Sequence, residues 1–270
     1  MAGTAERVLD PEGLGVNKRL DFYRRTVSRW IPDRSASILV VAGGENDREV
    51  LRGLGFANVV VSNLKYEGPG AGLDPFGWSE QNAESLTYDD GAFEYVVVHA
   101  GLHHCRSPHR GLLEMYRVAR KAVVAFEPPD NLLTRAMQRL GLAQEYEYTA
   151  VRCQGGEAGG VNDSDVPNYV YRWSEREVRK TVSSYAPEAR HRIRFAHGTD
   201  APTPQFVGRS LFLRLLLGAA MPAYRLLTGV LPRQRNLFGF CIEKPDLFRD
   251  GHSWLVVDGD RVRFDPRWVT

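Results

Sequence analysis

Four short apolar runs limit this chain more than any other feature: Ile38-Leu39-Val40-Val41, Val59-Val60-Val61, Tyr95-Val96-Val97-Val98 and Ala122-Val123-Val124-Ala125-Phe126. None alternates polar with apolar, so each predicts a strand covered on both faces, as parallel strands in α/β proteins are. Helical patterns fall between them. Leu20, Tyr23, Val27 and Trp30 share one helical face until Pro32 ends it, and residues 47–54 read as a helix closed by Gly55. Ser107-Pro108 supplies an N-cap and a first helical residue, residues 130–142 predict a further helix, and Ser174-Glu175-Arg176-Glu177 is a capping box for another. Residues 191–196 and 238–242 predict a late strand pair. Two segments are expected as loops: 65–81, where a helix would ordinarily stand, and 153–168, long and flexible. The alternation predicts an α/β, Rossmann-like, doubly wound and mainly parallel sheet. Ligands on such sheets sit at the carboxyl ends of the strands, which puts the working loops after Val41, Ser62 and His99.

Composition excludes several function classes. With 35 Lys+Arg against 33 Asp+Glu, the net charge of +2 provides no global basic field, so no nucleic-acid partner is expected. The 270 residues suffice for a full core without staples. Cys105, Cys153 and Cys241 form no C-x-x-C pair, which predicts a reducing compartment and no structural zinc. The first residues are polar and charged, so no secretory signal is expected and the cytoplasm is the predicted location.

The turn after the first strand, Ala42-Gly43-Gly44-Glu45-Asn46, lacks the third glycine of a dinucleotide fingerprint. Neither a phosphate-binding G-x-x-x-x-G-K-[ST] loop nor a G-x-S-x-G elbow is present. Over residues 16–200 the chain instead resembles the class I S-adenosylmethionine-dependent methyltransferases. The resemblance rests on four pieces: Ile38 through Asn46, Val59 through Asn63, Asn82-Ala83-Glu84-Ser85-Leu86 followed by Asp90-Gly91-Ala92-Phe93-Glu94, and Gly101-Leu102-His103-His104-Cys105 with Ser107-Pro108 and Leu113-Glu114-Met115-Tyr116-Arg117-Val118. The last is the most specific.

The resemblance implies an antiparallel last strand and S-adenosylmethionine as cofactor, held by Ala42, Gly43, Gly44, Glu45, Asn63, Asn82, Ala83, Glu84 and His99. Departures are visible. Val40 stands where the family usually has an acid, Ala42 and Asn46 replace glycines, Ser62 or Asn63 replaces the acid after the second strand, and Asn82 replaces another acid. Glu45 is the candidate for restoring charge near the methionine ammonium.

His99, His103 and His104 cluster at the end of the fourth strand. Methyl transfer to a hydroxyl needs alignment and a group that takes the proton, and imidazole suits neutral pH. His103 is the first candidate and His104 the second. No carboxylate-rich motif accompanies them, so no metal is expected.

Residues 211–231 are apolar but interrupted by Arg214, Pro222 and Arg225. The expectation is a helical hairpin kinked at Pro222 that caps the acceptor site; a basic helix making peripheral membrane contact is the alternative use. The C-terminal Asp258-Gly259 sequence predicts a β-hairpin that pairs with a sheet edge or with a second copy in a homodimer. The expected division is 1–207 as cofactor-binding core with its N-terminal helix, 208–235 as helical cap insertion, and 236–270 as last core strand and hairpin. The expected activity is O-methylation of a small-molecule or glycan hydroxyl. A non-catalytic scaffold or regulator on the same fold, and a nicotinamide-dependent oxidoreductase, are the rival readings.

Overall fold

The computed structural model describes residues 17–65, 74–200, 211–258 and 261–268. Its strands are β1 (Ile38–Val41), β2 (Val59–Asn63), β3 (Gly77–Glu80), β4 (Phe93–His99), β5 (Ala119–Glu127), β6 (Ile193–Gly198) and β7 (Leu237–Glu243), followed by the hairpin strands β8 (Leu255–Asp258) and β9 (Arg261–Phe264). The first seven make one sheet in the order β3-β2-β1-β4-β5-β7-β6. Strands β1 to β5 pair in parallel, and β7 enters antiparallel between β5 and β6. The hairpin forms a separate two-stranded sheet.

All four residues of β1 are buried, as are Val96 to Val98 of β4 and Ala122 to Phe126 of β5. Burial on both faces is why these strands are continuous apolar runs. One face is covered by α1 (Lys18–Trp30) and α2 (Glu45–Gly53) through Tyr23, Val27, Trp30, Val50 and Leu51. The other is covered by α3 (Pro108–Val118), where Leu112, Met115 and Val118 pack with Val178 and Val182. Two shorter helices, α4 (Leu132–Arg139) and α5 (Tyr148–Cys153), precede α6 (Glu175–Tyr185), which carries Val178 and Val182. The caps predicted at Ser107 and Ser174 form, and Asn17 caps α1 in the same way. Asn17, Ser107 and Ser174 each accept a backbone N–H of their own first turn.

From β1 the chain runs outward to β2 and β3, then crosses back to β4 on β1's other side. The crevice opened by that reversal, at the carboxyl ends of β1 and β4, is where a doubly wound sheet takes its ligand.

The structure departs from the sequence reading in four places. Within 65–81, taken for loop, residues 77–80 form the edge strand β3, whose half-exposed Gly-Trp-Ser-Glu carries no apolar run; residues 66–73 lie outside the described residues. Segment 153–168 begins in α5, contains a 3-10 turn at Val161–Asp163, and is tied down by Gly160 N to Ser164 O and Val161 N to Val166 O, both 2.8 Å. The helix expected over 130–142 is confined to α4, opened by a reciprocal Asn131–Thr134 cap. Finally, the expected helical hairpin is one helix, α7 (Leu211–Val230), running through Pro222. An interior proline costs a helix ~3 kcal/mol, but the Leu, Ala and Met residues around it are strong helix formers.

On α7, Leu215, Leu226 and Val230 are 66%, 71% and 70% exposed, while Thr228 is buried. No helix among the described residues is long and apolar enough to cross a membrane. After β7, α8 (Leu247–Asp250) leads to the hairpin.

Candidate active site

At the end of β1, Ala42 takes a left-handed φ of 49°, the conformation that glycine would adopt most readily. Gly43 then packs so tightly that a Cβ there would lie 2.5 Å from Val40 Cγ1 and 3.0 Å from Val61 Cγ1. Gly44 has open space on its side-chain face. Its N–H donates to Asp47 Oδ2 at 3.0 Å, so Asp47 closes the turn from the first turn of α2. Asp47 is buried, with the Tyr23 hydroxyl as its side-chain hydrogen-bonding neighbour. Burial pushes its carboxyl up to about 6. The Tyr23 hydroxyl, also buried, is raised well above its ordinary range by burial and by the charge and hydrogen bond of Asp47.

Asn63 donates its amide to Gly43 O at 3.3 Å and accepts Leu64 N at 2.8 Å, joining the turns after β1 and β2. Asn82 closes an Asx turn on Glu84 N at 2.9 Å. The Glu84 carboxylate accepts Arg106 N at 3.0 Å and Ser107 N at 2.9 Å, bracing the approach to α3.

After β4, Ala100 is also left-handed, with φ 58°. A Cβ on Gly101 would come within 2.6 Å of Ala42 Cβ, so the two turns touch. Residues Leu102–His104 form a 3-10 turn held by Glu127, whose Oε1 accepts Gly101 N at 2.9 Å and Leu102 N at 2.8 Å. Its Oε2 takes His103 Nδ1 at 2.8 Å, and His103 Nε2 meets Glu147 Oε2 at 3.2 Å. Asn168 donates to His103 O at 3.1 Å. Burial works against charge on His103, but Glu127 and Glu147 outweigh it and push the imidazole up to about 9. Glu147 is held near 2: burial opposes this, and the hydrogen bond and charge of His103 override it. Burial, then the charge of His103, lowers His104. Burial, with the Arg19 and His103 charges adding, drives His99 to about 3, so His99 is neutral. His99 stacks on Tyr23 with ring centroids 4.5 Å apart.

Three adjoining cavities occupy the crevice. One of about 470 Å³ is bounded by Ala42, Asn63, Gln81, Asn82, Gly101, His104 and the 154–163 segment. A second of about 380 Å³ lies over the β1 turn and shares Ala42, Asn63 and Ala100 with the first; it is lined by Arg19, Gly43, Gly44, Asp47 and His99. A third of about 240 Å³ shares Arg19 and His99 with the second and is walled by Phe22, Phe126, Glu127 and Phe238.

Of the residues singled out from sequence, Ala42, Gly43, Gly44, Asn63, Asn82, Ala83, His99 and His104 line these cavities. Glu45 is exposed on α2, Glu84 is committed to the α3 approach, and His103 sits behind the wall with both ring nitrogens engaged. Sequence reasoning missed Asp47, Arg19, Gln81, Glu127 and Glu147. For Asp47 a signal existed, since it stands three residues beyond Gly44 at the position that caps a helix start.

Residues 48–146 match the family described as methyltransferase domain. Among solved structures, a complex of the Haloferax volcanii Trm112 methyltransferase activator with a methyltransferase is matched at TM-score 0.56 and 11% identity, covering 85% of this chain and 91% of that one. An S-adenosylmethionine-dependent methyltransferase from Archaeoglobus fulgidus is matched at TM-score 0.50 and 11% identity, covering 83% and 94%. One from Thermotoga maritima, with histamine N-methylation suggested for it, is matched at 0.50 and 10%, covering 84% and 89%. Among curated proteins no significant match is found. The family match over residues 48–146 and the strand order support the resemblance to the class I S-adenosylmethionine-dependent methyltransferases.

S-adenosylmethionine is the cofactor of that class, and the residues present fit it. The molecule carries an ammonium and a sulfonium, and the cavity over the β1 turn is lined by the Asp47 carboxylate, which caps Gly44 N–H and neighbours the Tyr23 hydroxyl, and by the open face of Gly44.

Proposed function

We propose that this chain transfers the methyl group of S-adenosylmethionine to a hydroxyl of a small-molecule or glycan acceptor seated in the cavity of about 240 Å³. Asn63, Gln81 and Asn82 would hold the adenosine portion, and Gly43, Gly44, Asp47 and Arg19 the methionine portion. When bound, the cofactor supplies an electrophilic methyl group.

The observation that carries the reading is His99. It forms a wall common to the second and third cavities and is kept neutral by burial and by the neighbouring cations Arg19 and His103. A neutral imidazole retains a lone pair for a hydroxyl proton, and a positioned proton acceptor contributes roughly 10²–10⁴-fold. Arg19 lines the same cavity together with Glu127 and Asp200. Phe22, Phe126 and Phe238 give it an apolar wall. His103 is a poor proton acceptor here because both its nitrogens are already hydrogen-bonded to carboxylates. Segment 208–235 contributes Arg233 and Arg235 near β6 and leaves Leu215, Leu226 and Val230 of α7 exposed, which supports peripheral contact with an anionic surface over capping.

The test pairs hydroxyl and amine versions of the same candidate acceptors with the cofactor and follows methyl incorporation by mass spectrometry. Transfer to the hydroxyl member, lost about 100-fold in His99→Asn with cofactor affinity retained, is expected. Transfer only to amines, or full turnover in His99→Asn, overturns the reading.

A further inference from the structure

His103, His104 and Glu147 each present one potential ligand atom, a ring nitrogen or a carboxylate oxygen, within 4.8 Å of one another. The sequence offers no carboxylate beside the two histidines; the fold brings one from 44 residues away. His103 Nε2 lies 3.2 Å and His104 Nε2 3.5 Å from the same oxygen, Glu147 Oε2. Ligands about 2.0–2.1 Å from a tetrahedral zinc ion are separated by about 3.3 Å, so two edges of the triangle already have the spacing that such an ion imposes.

The other nitrogen of each ring points to the same conclusion. His103 Nδ1 is 2.8 Å from Glu127 Oε2, and Glu127 is itself fixed by two backbone N–H groups. His104 Nδ1 is 3.4 Å from the Gly160 carbonyl. Each acceptor fixes a proton on Nδ1; at His104 this leaves a lone pair on Nε2, while at His103 Nε2 shares a second proton with Glu147. An outer carboxylate or carbonyl that orients the ring in this way accompanies nearly all metal-binding histidines. At His104 the consequence is local: a bare Nε2 and a carboxylate oxygen face each other, two acceptors that a cation between them would satisfy. At His103 the ion would take the place of the proton that Nε2 shares with Glu147.

We propose that His103, His104 and Glu147 form a binding site for one divalent zinc-class ion in the wall of the cofactor crevice, with Glu127 and the Gly160 carbonyl orienting the two rings. Two imidazole nitrogens and one carboxylate suit zinc and not magnesium or calcium, which take oxygen ligands. Three protein ligands leave a fourth position. His104 lines the large cavity, and the side chains of His104 and Glu147 are 31% and 30% exposed, so that position is open to an oxygen ligand from the crevice. The site is independent of the hydroxyl-acceptor reading and of His99.

The full chain, dialysed against chelator, is titrated with zinc sulfate by calorimetry and with cobalt chloride by visible absorption. One ion per chain and the visible bands of four-coordinate cobalt are expected. His104→Ala and Glu147→Gln, each checked for an intact thermal transition, are expected to weaken zinc binding about 100-fold or more, taking the upper end of losses seen for outer-shell changes as a floor. His109→Ala, which removes a histidine–glutamate contact lacking a second histidine, is expected to leave binding unchanged. No stoichiometric uptake by the unaltered chain overturns the proposal, as does equal uptake in both ligand variants, equal loss in His109→Ala, or magnesium displacing zinc at equal concentration.

Discussion

Asp47→Asn should stabilise the protein without cofactor and weaken its binding of cofactor, and both effects follow from one buried carboxylate. The carboxyl is raised from an ordinary 3.8 to about 6 by burial. A raised carboxyl pKa means that the folded state holds the proton more tightly than the unfolded chain does. The group therefore costs nothing below pH 4, and its penalty grows as pH rises to about 6 and stays constant above. Two pKa units at about 1.4 kcal/mol each place that penalty near 3 kcal/mol at pH 8. Asparagine keeps the shape and the acceptor for Gly44 N–H while removing the charge. For a chain of this size, a gain of that order raises the thermal midpoint by about 5–10 °C. Scanning calorimetry of the two proteins from pH 4 to pH 8 should show midpoints that nearly coincide at pH 4 and separate in favour of the variant as pH rises. Titration with S-adenosylmethionine should show the opposite preference. Losing one charge-assisted hydrogen bond, about 1.5–3 kcal/mol, weakens binding roughly 10- to 100-fold. A variant less stable than the parent at pH 8, with unchanged cofactor affinity, would refute the reasoning at both ends.

Other outcomes follow from the same geometry. Gly43→Ala forces a Cβ to within 2.5 Å of Val40 Cγ1, so denaturant melts should show a loss of about 1–3 kcal/mol, together with weaker cofactor binding. Glu84→Ala removes the acceptor for Arg106 and Ser107 N–H; a loss of about 1–3 kcal/mol is expected with cofactor affinity within about twofold of the parent. The exposed Leu226, Val230 and Leu231 beside Arg225 predict co-sedimentation with anionic vesicles at low salt, and none with neutral vesicles or in Leu226→Glu.

The sheet's centre could be read from the chain because strands buried on both faces leave no room for polar residues; β1, β2, β4 and β5 are apolar runs for that reason. The edge strand β3 has one neighbour, and its Gly77-Trp78-Ser79-Glu80 is held by backbone pairing to β2, which leaves no side-chain pattern. The Pro222 helix misled because a breaker is judged locally, whereas the flanking helix formers act over the whole segment. At the site, the left-handed Ala42 explains how a position expected to be glycine can carry another residue: the backbone keeps glycine's conformation and accepts the strain. The acid sought at Glu45 is exposed, while Asp47 turns inward to cap Gly44. His103 and His104 were visible as a pair. Their partners Glu127, Glu147 and Asn168 stand 24, 44 and 65 residues further along, joined to them only by the fold.

The central claim is that the crevice between the β1 and β4 turns holds S-adenosylmethionine, and isothermal titration of the full chain with S-adenosylmethionine and S-adenosylhomocysteine tests it most directly. Saturable binding of one molecule per chain is predicted, weakened for S-adenosylmethionine by Asp47→Asn. Absence of binding by either ligand at millimolar concentration, in a chain that melts cooperatively, would contradict it.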